Sequence, residues 1–133
     1  MFVAIKRATL LYPSPSARDP SGKHLFILLT DTYGPANLVL MVGVATVQGS
    51  VFDSTCILKA GDHTFIKHPS YVAYALCRVE PADKLIKGVE NKFFVDKGLL
   101  DEPVFQRVLE GLERSRFTKP FAIEFLKNCI KKK

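Results

Sequence analysis

Two nearly continuous apolar runs constrain the fold of this chain more than any other feature. The first is His24-Leu25-Phe26-Ile27-Leu28-Leu29-Thr30, which stops at Asp31; the second is Leu38-Val39-Leu40-Met41-Val42-Gly43-Val44-Ala45-Thr46-Val47. Between them stands Tyr33-Gly34-Pro35-Ala36-Asn37, a turn by its chemistry. Strands that are apolar at every position are covered on both faces or closed into a small barrel. Gln48-Gly49-Ser50 turns the chain again, residues 55–58 read as a short strand, and residues 71–79 read as another. Residues 2–11 supply a first strand, mixed apolar and basic. Short strands with tight connections and no helices between them predict an antiparallel, barrel-like sheet. Residues 12–22 hold three prolines and a glycine, the composition of an exposed loop, and their length predicts a mobile flap.

The last third changes character. Residues 81–87 begin a short helix, residues 92–95 read as a strand, and Gly98 ends it. Asp101 then caps a helix with Pro103 in its first turn. Val104, Phe105, Val108, Leu109 and Leu112 recur on one face of that helix. Thr118-Lys119-Pro120 starts another, with Phe121, Ala122, Phe125, Leu126, Cys129 and Ile130 as its apolar stripe. These stripes read as core against the sheet; a homodimer interface is the alternative use. The prediction is an α+β fold, a small antiparallel SH3-like barrel or strongly bent sheet followed by C-terminal helices. At 133 residues the chain reads as one domain, mainly β over residues 1–80 and mainly helical over residues 81–133.

Hydrophobic residues make up 47% and charged residues 24%, an ordinary globular balance. No apolar run reaches the roughly 18 residues that cross a bilayer, so no membrane partner is expected. The first residues place their charge, Lys6 and Arg7, after their apolar side chains, the reverse of a signal peptide. The expected location is the cytoplasm. Cys56, Cys77 and Cys129 are an odd number without metal-like or redox spacing, and they read as buried free thiols. The formal charge of +6 includes Lys119, Lys127, Lys131, Lys132 and Lys133 near the C-terminus. Such a surface attracts polyanions such as RNA or DNA, or is a solvated helix end whose lysines favour the helix dipole.

Chemistry concentrates in residues 61–71, where Asp62, His63, Lys67, His68, Ser70 and Tyr71 lie between apolar runs. Polar side chains that dense beside a sheet are what a catalytic or ligand-binding loop carries. They are also what a satisfied turn carries, since Asp side chains bond the local backbone. The order of elements over residues 20–80 resembles the PemK/MazF group of toxin ribonucleases. Lys23-His24-Leu25-Phe26-Ile27-Leu28-Leu29-Thr30 resembles that group's basic residue leading into an apolar strand. Val42-Gly43-Val44-Ala45-Thr46 resembles its strand ending in a hydroxyl, and residues 62–79 resemble its serine-containing turn entering a later strand. The group's arginine at the head of the first strand is replaced here by Lys23 or His24, and arginine offers phosphate a rigid fork where lysine offers a point charge. The helical tail is also longer than the resemblance implies.

The resemblance implies an endoribonuclease that uses no cofactor and no metal. Cleavage by 2′-hydroxyl attack needs a base, an acid for the leaving 5′-oxygen and a cation or donor on the phosphate. Histidine suits both proton roles. The candidate catalytic residues are His24, Thr46, His63 and His68, and the candidate substrate-binding residues are Lys23, Lys67, Ser70 and Tyr71. Phe26, Phe65 and Tyr71 are candidates for stacking on bases. An acidic antitoxin-like protein is the implied partner, with RNA as the substrate. Plainer roles stand beside these: His24 at a strand edge facing water, Thr46 as an ordinary strand residue, and His68-Pro69-Ser70 shaping the entry to a strand. Asp62, His63 and His68 with His24 also form a conceivable zinc set, although no cysteine pair assists it. A non-catalytic SH3-like module binding nucleic acid or protein is the alternative function.

Overall fold

The computed structural model describes residues 1–13 and 23–131. Of the flap expected over residues 12–22, Tyr12 and Pro13 instead extend the first strand, paired with His24 and Lys23 of the next; residues 14–22 and the last two lysines lie outside the described residues. Six strands form one antiparallel sheet: β1 (Ala8–Pro13), β2 (Lys23–Leu28), β3 (Leu38–Thr46), β4 (Ile57–Leu58), β5 (Ser70–Pro81) and β6 (Val95–Leu99). Their spatial order is β4-β5-β3-β2-β1-β6, and the sheet bends into a half-barrel. Three helices complete the α+β fold: α1 (Ala82–Glu90), α2 (Glu102–Arg114) and α3 (Pro120–Lys131).

The continuous apolar runs are explained by cover on both faces. Side chains alternate along a strand, and here each set meets a different core. Leu25 and Ile27 of β2, with Leu40, Val42 and Val44 of β3, pack under Phe105, Val108 and Leu112 of α2 and Ala122 and Leu126 of α3. Phe26 and Leu28, with Val39 and Met41, pack on the opposite face against Phe2, Ala4, Leu85 and Phe94. The stripe of α2 and residues Ala122, Phe125 and Leu126 of α3 are therefore core, while Phe121 and Ile130 of the α3 stripe stay exposed. Cys56 and Cys77 are buried free thiols and Cys129 is half-buried. Burial pushes the Cys77 thiol up to about 12, where it is an inert space-filler.

Three boundaries differ from the sequence reading. β1 begins at Ala8 because Arg7 takes a left-handed conformation (φ 78°), which separates residues 2–4 from the sheet and lets Phe2 and Ala4 cover its outer face. The strand expected at residues 92–95 starts at Val95. Lys92 is left-handed (φ 64°), and the amides of Phe93 and Phe94 both donate to the Gly88 carbonyl as α1 ends. Gly98 does not end β6. It sits inside the strand at φ 79°, where the pairing with β1 shifts between Ala8–Leu99 and Leu10–Asp96, as a bulge requires. A strand thus returns from the mainly helical part to pair with β1.

The central ladder carries the largest irregularity. β3 pairs β5 from Leu38–Pro81 to Met41–Arg78 and again from Gly43–Ala73 to Thr46–Ser70. Two steps along β3, Met41 to Gly43, therefore face five along β5, Ala73 to Arg78, so three extra residues arch out of β5. Within that arch Tyr74 points inward, fully buried, and its hydroxyl donates to the Val108 carbonyl at 2.8 Å. The contact is possible because α2 carries Gly111 at the crossing: a Cβ there would lie 2.0 Å from the Tyr74 hydroxyl oxygen. Asp101 occupies the N-cap position of α2 without a side-chain capping bond, and its carbonyl accepts the first helical amide from Phe105.

Gly111→Ala is expected to destabilise the fold by about 2–4 kcal/mol, from overpacking plus loss of the Tyr74 hydrogen bond. Urea unfolding of the variant measures this directly; a change below about 0.5 kcal/mol would mean that α2 does not depend on this close approach.

Candidate functional site

The rim of the half-barrel at the start of β2, the end of β3 and the start of β5 opens into a cleft of about 730 Å³. Antiparallel pairing brings these ends together: Thr46 lies opposite Ser70, and Ala45 opposite Tyr71. Seven of the eight candidate residues line the cleft: Lys23, His24, Thr46, Lys67, His68, Ser70 and Tyr71. By alternation, Lys23 shares the parity of buried Leu25, and Thr46 that of Val44, so both lean toward the helix-covered face. His24 has the opposite parity, and so does Tyr71 relative to Val72. The cleft gathers all four because it opens at the strand ends.

The far wall is the segment 65–68, with Phe65, Ile66, Lys67 and His68. Buried Ile66 roots this wall in the main core. Asp62, just before it, accepts the Lys59 amide at 2.8 Å and pairs with Arg107 of α2 at 3.1 Å. The Pro69 carbonyl accepts the Val47 amide and ties the end of the wall to the end of β3. Lys67 and His68 are exposed on this anchored segment.

His63 does not line the cleft. It is buried, at 8% exposure, and every ring nitrogen is engaged. Nδ1 accepts the Phe65 amide at 3.0 Å, which puts the ring proton on Nε2. Nε2 lies 3.1 Å from the Lys97 carbonyl of β6, to which it donates, and 3.0 Å from the Thr9 hydroxyl of β1. The Thr9 hydroxyl in turn donates to the Gly98 carbonyl at 2.8 Å. His63 thus clasps the loop after β4 to β1 and β6 across the open side of the half-barrel. The catalytic role expected for it is replaced by a structural one, because no nitrogen remains to exchange a proton with a substrate in the cleft. Desolvation lowers its pKa below the ordinary value.

Ser70 is likewise committed. It is buried, and its hydroxyl donates to the His68 carbonyl at 2.9 Å, which shapes the turn that presents His68. Phe26 belongs to the core, where its ring lies 3.1 Å from the Cβ position that Gly43 leaves empty. Phe65 stays exposed, with the Lys97 ammonium 5.7 Å from its ring centre. The zinc set dissolves, since His63 and Asp62 are occupied elsewhere; among the described residues no three His, Cys, Asp or Glu side chains gather to hold a metal.

What remains at the cleft is two lysines, two imidazoles and the Thr46 hydroxyl, with no carboxylate among the described lining residues. No ion pair engages Lys23 or Lys67 among the described residues. A positive concavity bordered by aromatic rings holds an anion with flat faces. Sequence reasoning missed Phe52, whose ring stands 5.4 Å from that of Tyr71 and floors one side. Its sole sequence signal was an aromatic residue in a polar turn.

Among the described residues, no helix is long and apolar enough to cross a membrane. No protein-family model matches this chain, and no curated protein matches it.

The buried neutral imidazole makes stability pH-dependent. The unfolded chain binds the His63 proton at the ordinary pKa near 6.5, the folded chain only at a lower pH. The contribution is therefore complete above that ordinary value and is lost as pH falls from it through the lowered folded value. His63→Ala is expected to cost about 2–4 kcal/mol at neutral pH, since it strands the Thr9, Lys97 and Phe65 groups and opens a cavity. It should also remove part of the stability loss on acidification. Urea titrations of both proteins at neutral and mildly acidic pH would expose an error: parallel pH profiles would exclude His63 as the titrating clasp.

Proposed function

We propose that this chain is a PemK/MazF-like endoribonuclease that cleaves RNA by metal-independent acid–base chemistry. The observation that carries this reading is the meeting of His24 and His68 with Lys23, Lys67 and Thr46 around one cleft free of carboxylates among the described lining residues. Two imidazoles supply a base and an acid. One takes the proton of the ribose 2′-hydroxyl as the 2′-oxygen bonds to phosphorus. The other protonates the 5′-oxygen as its bond to phosphorus breaks. The products are a 2′,3′-cyclic phosphate and a 5′-hydroxyl, so atoms and protons balance without a co-reactant. Lys23, Lys67 and the Thr46 hydroxyl stabilise charge on the non-bridging oxygens. Tyr71, half-buried on Phe52, offers a face to a base.

The free thiols of Cys56 and Cys77 suit the reducing cytoplasm, where RNA is also found. An acidic antitoxin-like protein fits the +6 charge and would compete with RNA for the same cleft. A homodimer is compatible with the exposed apolar side chains of α3, Phe121 and Ile130.

A second reading follows from Lys23 or His24 standing where the toxin group has arginine. A point charge clamps a phosphoryl transition state less firmly than a fork does, so a silent RNA- or protein-binding module of this fold is the alternative.

The purified chain is expected to cut single-stranded RNA in the presence of EDTA and leave cyclic phosphate ends. His24→Ala and His68→Ala are each expected to lower the rate by about 10²–10⁴-fold, with a bell-shaped pH profile in the parent. Retention of full activity in both variants would end the assignment. Intact RNA bound with steep salt dependence would favour the module instead.

A further inference from the structure

A second groove of about 700 Å³ opens from the first, and the two share Val51, Phe52 and Tyr71. Its other walls are the arch of β5 and the link between α2 and α3. The arch turns Leu76 outward (57% exposed), and the link presents Phe117 (45% exposed) between the two. Arg114 and Arg116 stand on the same wall, both exposed. Among the described residues neither is in an ion pair. Arg114 makes one long contact, 3.4 Å to the Thr55 carbonyl, and the Arg116 guanidinium lies 5.0 Å from the Phe117 ring centre. The one acid among the groove's described lining residues, Asp53, is buried and fully committed. Oδ1 accepts the Thr55 amide and hydroxyl at 3.1 and 2.6 Å, and Oδ2 accepts the Ser115 hydroxyl at 2.7 Å. The accessible charge in this groove is therefore positive, and apolar and aromatic side chains share its surface with Ser50, Ser54 and Thr55.

We infer that the second groove carries the nucleotides flanking the cleavage site of a single-stranded RNA, with Arg114 and Arg116 on their phosphates and Tyr71 and Phe117 under their bases. This rests on the reading of the first cleft as an RNA site. Single-stranded nucleic acid is recognised by a cationic track interleaved with aromatic faces, because each phosphate seeks a cation and each unstacked base seeks a ring. The Phe52–Tyr71 pair forms the sill over which such a strand passes from one hollow to the other. A duplex offers these rings no unstacked base. An acidic peptide would also meet the arginines, but continuity with the first cleft, with its Lys23, Lys67, His24 and His68, favours RNA.

The test is fluorescence anisotropy in EDTA, in a His24→Ala/His68→Ala background, with labelled oligoribonucleotides of about four and about twelve nucleotides. The longer strand is expected to bind roughly tenfold more tightly. Reversing the exposed pair, Arg114→Glu with Arg116→Glu, is expected to abolish that preference and to flatten the slope of log affinity against log salt by about 1.4 units. Circular dichroism checks that the reversed variant is folded. A length preference and salt slope that survive the reversal overturn the inference. So does loss of binding to labelled polyglutamate alone, which would assign the groove to an acidic peptide. Cleavage is read separately in the unmodified chain. An inactive chain with an arginine-dependent length preference would remove the nuclease and keep the groove; an active chain without that dependence would do the opposite.

Discussion

The pairing of β3 with β5 is the interaction on which the rest of this molecule depends. Its far segment aligns Thr46 with Ser70 and Ala45 with Tyr71, which brings the polar ends of three strands to one rim. Its near segment runs in a register offset by three residues, and the surplus arches out at Ala73 to Arg78. The arch sends Tyr74 into the core beneath α2 and Leu76 into solvent beside the α2–α3 link. Both hollows on this side of the protein therefore follow from one ladder: the cleft from where the strands end, the groove from where they fail to match. A slip of one residue would exchange the inward and outward sets throughout β5 and remove both.

The wall opposite the strand ends lacks secondary structure of its own, yet it is not loose. Ile66 is buried in the core, Asp62 is paired with Arg107, and His63 bridges to Thr9 and Lys97. Such anchoring matters for any chemistry at the cleft, because positioned groups act through geometry held to fractions of an ångström. The cost is a neutral imidazole kept away from water. The return is that Lys67 and His68, the groups that remain exposed, sit on a braced segment. Of the three histidines, one is thus consumed by the frame and two line the cleft.

Much of the fold was legible in the chain itself. The continuous apolar runs at residues 24–30 and 38–47 announced strands covered on both faces, and each face has its own cluster of helices or N-terminal residues. The stripes of α2 and α3, each with a proline in the first turn, announced their cores. The convergence of Lys23, His24, Thr46, Lys67 and His68 was also anticipated, because each sits at a strand end or in the dense polar loop. Less was legible where long-range contact overrode local pattern. Residues 2–4 read as strand but cover the sheet, since Arg7 turns the chain before β1 begins. Gly98 read as a stop but is a bulge, since β6 continues its pairing with β1 beyond it. His63 read as chemistry, and only the approach of β1 and β6 made it a clasp.

What the amino-acid order determined by itself is the set of elements, because periodicity and turn chemistry act over a few neighbouring residues. It also determined that both faces of the central strands would be buried, because apolar side chains at every position must leave water on both sides. What only the tertiary structure decided is partnership: which strand pairs with which, in what register, and hence which polar side chains look into shared space and which are consumed holding the fold. Those choices rest on contacts between residues far apart in the chain, such as His63 with Lys97 or Tyr74 with Gly111, and no local pattern encodes them.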